Sequence, residues 1–228
     1  MSSQKYLEMQ KGYYDKEASK WTLNNKNPVV GWYHDHEKFS DYDEFLFKDF
    51  ETGGLVALEY GCGPGRNLIR FAKRFERVDG VDISQTNIDK AKINIEDAGV
   101  TIPKLYVNDG DNIPTEDATY DVVFAVICLQ HICVHEIRYK IMQEIYRVLK
   151  PGGKFCAQMG FGGRDGSVKY HDNNHDAQGT NGMCDVSIED EQFLKDDLSK
   201  IGFTQYKADF RTPCKDLHKQ WIWFQVEK

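Results

Sequence analysis

Residues 55–66, Leu55-Val56-Ala57-Leu58-Glu59-Tyr60-Gly61-Cys62-Gly63-Pro64-Gly65-Arg66, decide the fold of this chain. Leu55 to Tyr60 is a short apolar run rich in β-forming residues, the signature of a buried strand. It stops at Gly61, Gly63 and Gly65, where a backbone without side chains can turn sharply and come close to a ligand. Arg66 to Phe75 places Leu68, Ile69, Ala72 and Phe75 at helical spacing, so the loop opens a helix. The free N–H groups at such a helix start suit a carboxylate or a phosphate. A second strand, Val78 to Val81, ends at Asp82, 21 residues beyond Gly61. An acid there accepts hydrogen bonds from both hydroxyls of a ribose.

Two ligands suit the order strand, glycine loop, helix, strand, acid: a dinucleotide and S-adenosylmethionine. Spacing separates them. A dinucleotide fingerprint needs its third glycine at position 66, which is Arg66 here. The acid Glu59, two residues before Gly61, is badly placed beside a pyrophosphate and well placed near an ammonium. Leu58-Glu59-Tyr60-Gly61-Cys62-Gly63-Pro64-Gly65 resembles motif I of the class I S-adenosylmethionine-dependent methyltransferases.

Working outward, the chain alternates. Ser84 is placed to cap a helix with Ile88, Ala91, Ile95 and Ala98 inward, ending at Gly99. Lys104 to Val107 reads as a third strand, and Tyr120 to Ile127 as a central parallel strand. A helix from about His135 to Lys150 follows, then a stop at Pro151-Gly-Gly and a fifth strand from Lys154 to Met159. Residues 160–186 read as an irregular insertion rich in Gly, Asp, Asn and His. Ser187-Ile-Glu-Asp190 reads as a capped start of the last helix, and Phe203–Phe210 and Trp221–Val226 as two closing strands. Alternation gives an α/β doubly wound sheet. The resemblance covers about residues 55–159, more weakly the closing strands. It implies a Rossmann-like, seven-stranded, mostly parallel sheet in the order 3-2-1-4-5-7-6, with the last strand antiparallel.

The whole of residues 1–228 is expected to be one domain: a helical cap (1–50), a cofactor-binding core (51–160), the insertion (160–186) and a C-terminal helix with a strand pair (187–228). In the cap, Tyr6, Met9 and Tyr13 mark one helix face, and Phe39, Tyr42, Phe45, Leu46 and Phe50 suggest a second helix. The segment is too short for its own core and reads as a lid on the carboxyl edge of the sheet.

The resemblance also implies a cofactor site. Gly61, Cys62, Gly63 and Gly65 would approach the methionine part of S-adenosylmethionine above Glu59, and Asp82 would take the ribose. Ile83 would lie on the adenine face, and Asp109 with Gly110, ahead of Ile113-Pro114, at its edge; Asp111 is a near alternative. Val126 would offer a carbonyl to the ammonium. Tyr14 and Trp21 fall in a Tyr-Asp…Ala…Trp stretch similar to one that folds over the cofactor.

After the fourth strand comes Leu129-Gln130-His131, at the mouth where an acceptor would lie. Methyl transfer is an in-line displacement, so alignment supplies much of the rate. A hydroxyl acceptor also needs a base, and His131 is the candidate, since imidazole titrates near ~6.5. His34, His171, His175, Arg164 and Arg211 are candidate acceptor contacts, the arginines for a phosphate or carboxylate. His171-Asp172-x-x-His175-Asp176 also has the composition of a metal site. It lacks a helical periodicity that would fix the spacing, so no metal is expected.

The balance of 29 Lys and Arg against 36 Asp and Glu, a net −7, argues against a sequence-independent grip on nucleic acid. No run approaches membrane-spanning length, and Met1-Ser-Ser-Gln-Lys-Tyr6 has no apolar signal core. Six cysteines without a Cys-x-x-Cys pair read as reduced thiols of a cytoplasmic protein. The expected activity is methyl transfer to a small-molecule acceptor, hydroxyl favoured over amine, with S-adenosyl-L-homocysteine as product, by a monomer or homodimer. The alternatives are an RNA or protein methyltransferase, for which no Asn/Asp-Pro-Pro-Tyr or Pro-Cys motif speaks, and a nucleotide-binding module or NAD-dependent oxidoreductase.

Overall fold

The computed structural model describes residues 2–20, 42–163, 167–176, 185–212 and 218–228. Five parallel strands form its centre: β1 (Val56–Tyr60), β2 (Arg77–Asp82), β3 (Leu105–Val107), β4 (Tyr120–Ala125) and β5 (Leu149–Phe161). Near the C-terminus, β8 (Thr204–Arg211) and β9 (Gln220–Glu227) form an antiparallel pair, with β9 running antiparallel to β5. The order β3-β2-β1-β4-β5-β9-β8 is the one that the resemblance implied.

The described part of the insertion is more regular than its composition suggests. It contributes β6 (Val168–Lys169) and β7 (Val186–Ile188), so the sheet has nine strands and not seven. β9 occupies one edge of β5 throughout Lys154–Phe161, so β7, parallel to Gly160 and Phe161, takes the other edge where β4 has stopped. The insertion therefore stands over the tip of β4.

Helices α2 (Arg66–Phe71) and α3 (Gln85–Asp97) cover one face, α4 (His135–Val148) and α5 (Glu191–Ile201) the other. The α3 cap is as expected, with Ser84 Oγ accepting from Asn87 N at 3.1 Å. The α5 cap is not Ser187. That residue lies in β7, and Asp190, nearest the apolar run, accepts from Gln192 N at 2.9 Å. Helix α4 ends at Val148, two residues before the expected Lys150, and Pro151-Gly-Gly lies within β5, whose pairing with β4 is irregular between Tyr120 and Val122.

Part of the N-terminal segment departs from the expected lid. The described stretch Tyr42–Leu46 is one π-helical turn, and with Phe47 it packs on the α2 face. Phe47 meets Phe71, Phe75 and Phe124 edge to face at 5.0–5.3 Å, so burial of aromatic area decides its place. Helix α1 (Ser3–Ser19) does lie over the carboxyl edge. Its buried residues are Tyr6, Leu7, Gln10 and Ala18, and Met9 is only half-buried.

Arg138 is buried within α4 and donates to the carbonyls of Ile132 and Tyr170, tying the β4 connection to the insertion. Burial pulls its pKa down to about 10. Arg138→Ala strands both carbonyls, so a stability loss of about 3 kcal/mol is expected in urea titration. A loss below about 0.5 kcal/mol would mean that water replaces the guanidinium.

Candidate cofactor cleft and acceptor mouth

The glycine loop is held from three sides. Gly61 N and Cys62 N both donate to Val81 O, at 2.8 and 3.1 Å, and Asn94 of α3 donates to Pro64 O at 2.8 Å. Gly61 has φ +75°, and a Cβ there would fall 2.3 Å from Cys128 Sγ, so only glycine permits the loop to rest on the chain leaving β4. The Cys62 thiol points away from the cleft, 2.8 Å from where a Cβ on Gly80 would sit, and burial pushes its pKa up. Cys62 thus offers the cleft its backbone and not its sulfur.

Two carboxylates lie beneath and beside the loop. Glu59 is 2% exposed; Asn67 Nδ2 donates to Oε1 at 2.6 Å, while Oε2 is buried with no hydrogen-bond partner. Burial pushes its pKa up to about 8. Asp82 accepts from Gly63 N at 2.8 Å, Ser84 N at 2.9 Å and Asn87 Nδ2 at 3.2 Å, and burial raises its pKa too. Two buried acids beside one loop favour a cation and disfavour a pyrophosphate.

The tip of β3 joins them, because Asp82 pairs with Val107 and Asn108 N donates to Asp82 O at 3.1 Å. Asp109 is exposed at the rim, and Asp111 is committed to Lys140 at 2.7 Å. A Cβ on Gly110 would lie 2.7 Å from both Ile83 Cδ1 and Leu7 Cδ2. Ile83 and Gly110 are thus already in contact, and a ring placed between them has to displace Ile83. On the far side, Val126 is buried and the chain turns at Ile127, φ +55°, before Cys128 meets Gly61.

Helix α1 bridges the strand tips. Asp15 accepts from Ser84 Oγ at 2.6 Å and Thr86 N at 3.3 Å, and Lys11 donates to Ile83 O at 3.0 Å. Gln10 donates to His131 O at 2.9 Å, and Cys133 N donates to Tyr6 Oη at 2.8 Å. Tyr14 faces the cleft: burial, Cys128 and Asp82 all push its phenol up. None of Lys11, Asp15, Asn67 or Asn94 stood out in the sequence, where they resemble a solvated helix face.

His131 closes the short helical turn Leu129–His131 after β4. Its Nδ1 lies 2.9 Å from Asp185 Oδ1, and the two side chains are 16% and 9% exposed. Asp185 sits just before β7, so only the fold brings it there. The other acceptor candidates do not converge on His131. His171 stands beside His135 and Asp197, and His175 beside Ser3 and Glu136. Arg211 ends β8, three strands from β4, roughly 14 Å away at about 4.8 Å per strand. Trp21, His34 and Arg164 lie outside the described residues. Cys62, Cys128 and Cys156 are free, but Cys133 is disulfide-bonded, which corrects the reading of all six as reduced thiols.

This architecture and the acid-lined glycine cleft define a cofactor-binding domain of the class I type. Residues 58–157 match the family model described as a methyltransferase domain. The chain is 34% identical over 99 residues to sterol 4-C-methyltransferase strm-1 of Caenorhabditis elegans, across 43% of this chain and 29% of that protein. It is 32% identical over 139 residues to phosphoethanolamine N-methyltransferase 2 of the same organism, across 57% of this chain and 31% of that protein. It thus spans about three tenths of the length of these relatives. Geranyl diphosphate C-methyltransferase of Streptomyces coelicolor, solved with S-adenosyl-L-homocysteine, shares the fold at a TM-score of 0.69 and 13% identity, with 97% of each chain covered. Among the described residues no helix is long and apolar enough to cross a membrane.

The cofactor of this class is S-adenosylmethionine, and the cleft fits it: the orphaned Glu59 Oε2 is a ready acceptor for an ammonium. Linkage gives a pH dependence. The folded protein without ligand holds a proton on Glu59 up to about pH 8, whereas an ammonium beside it needs the carboxylate. Binding therefore releases a proton below pH 8, and affinity should rise with pH by up to about tenfold per unit before levelling. Calorimetry in buffers of different ionisation heat reads that proton, and Glu59→Gln should abolish the slope.

Proposed function

We propose that the chain transfers the methyl group of S-adenosylmethionine to a hydroxyl of a small-molecule acceptor, releasing S-adenosyl-L-homocysteine. The His131–Asp185 pair at the β4 tip carries this reading. The cofactor supplies an electrophilic methyl on a sulfonium. An aspartate on Nδ1 favours the tautomer with its lone pair on Nε2, the nitrogen that would take the hydroxyl proton as the oxygen attacks. Helix α1 and the insertion limit the size of the acceptor, since Asn174 N donates to Cys133 O and His135 N to Asp172 O over the same mouth. The net charge of −7 supports a small molecule over nucleic acid.

The test has two stages. S-adenosylmethionine at 100 times its Kd should add about 2.7 kcal/mol of stability and raise the Tm, and NAD should not. Acceptor panels of alcohols and of amines, read by release of S-adenosyl-L-homocysteine, then separate hydroxyl from amine transfer. A Tm response to NAD alone, or turnover of amines only, overturns the proposal.

A further inference from the structure

His135, His171 and Asp197 lie far apart in sequence and come from three different elements, the first turn of α4, the insertion and the middle of α5. One ligand atom from each meets the other two within 4.8 Å. His135 Nε2 is 2.6 Å from Asp197 Oδ2 and 3.3 Å from His171 Nδ1. Asp197 is buried, His135 half-buried and His171 exposed, so the cluster opens to solvent on one side. We propose that these three side chains bind a divalent ion of the zinc class, clamping the insertion to α4 and α5.

The three ligand atoms hold more lone pairs than one shared proton can satisfy. With His135 Nε2 protonated, its one N–H faces two acceptors, Asp197 Oδ2 and His171 Nδ1. Protonating His171 at Nδ1 as well sets two donors against each other across 3.3 Å. A metal ion uses all three lone pairs at once. At zinc–nitrogen distances of about 2.0–2.1 Å, a tetrahedral pair of nitrogens lies about 3.3 Å apart, the separation seen between the two imidazoles, while His135 Nε2 and Asp197 Oδ2, 2.6 Å apart, have to part to a similar distance as the ion enters. Two imidazoles and one carboxylate suit zinc over magnesium, and the exposed side leaves a fourth position for water. The sequence pairs His171 with His175, but the fold sends His175 to Ser3 and Glu136 instead. The proposed centre is therefore separate from that sequence motif, and it uses neither His131 nor Asp185.

The test titrates chelator-treated protein with Zn2+ alone by calorimetry, with Co2+ as the optical probe of coordination and Mg2+ as the comparison. One Zn2+ per chain, a Co2+ spectrum of four-coordination and no response to Mg2+ are expected. His171→Ala, an exposed change that the fold tolerates, should weaken Zn2+ binding by at least about 100-fold, and His175→Ala should leave it within about threefold. Asp197→Asn should weaken it too, with circular dichroism recording whether α5 has kept its fold. Absence of Zn2+ binding at millimolar concentration, or equal affinities of the parent protein and His171→Ala, overturns the proposal.

Discussion

Asp82→Asn is expected to raise the Kd for S-adenosylmethionine by about 100-fold, close to 2.7 kcal/mol. The parent carboxylate spends both oxygens on Gly63 N, Ser84 N and Asn87 Nδ2. An amide retains one acceptor oxygen and turns an N–H toward a backbone N–H, so the loop and the contact that the carboxylate would make to a ribose suffer together. This differs from what the sequence position alone implies, a strand-end acid whose loss spares the fold. Because Asp82 is buried, a stability loss of about 1–3 kcal/mol should accompany the loss of affinity. Calorimetry and thermal melting read the two effects separately, and an unchanged Kd would remove Asp82 from the site.

His131→Ala is expected to lower kcat by about 100-fold or more with a hydroxyl acceptor, while cofactor affinity stays within about threefold. Asp185→Asn should lower kcat about tenfold, since the amide tolerates the wrong ring tautomer. A drop in cofactor affinity with turnover per bound cofactor preserved would move His131 to the cofactor side of the cleft.

Much of the cleft was legible in residues 55–82. Glycine spacing, a preceding acid and a following strand are local features, and helical or alternating periodicity marks the elements that carry them. The insertion was less legible. Gly, Asp and Asn suggest irregular chain, yet β7 finds an unoccupied edge on β5, which no local pattern announces. The aromatics of the Tyr42–Phe50 stretch suit a lid and the sheet face equally. Phe47 chose the sheet face where Phe71, Phe75 and Phe124 already stood.

By itself the sequence determined the strand–loop–helix unit, the alternation of layers and the acids at the tips of β1 and β2. Those follow from steric freedom at glycine and from burial of periodic apolar positions, which act over a few residues. Only the tertiary structure decided that His131 meets Asp185, that Asp15 meets Ser84 and that His135 gathers His171 and Asp197. Polar pairs of that kind join distant residues, 62 apart for His135 and Asp197, and a charged side chain reads the same in sequence whether water or a partner satisfies it.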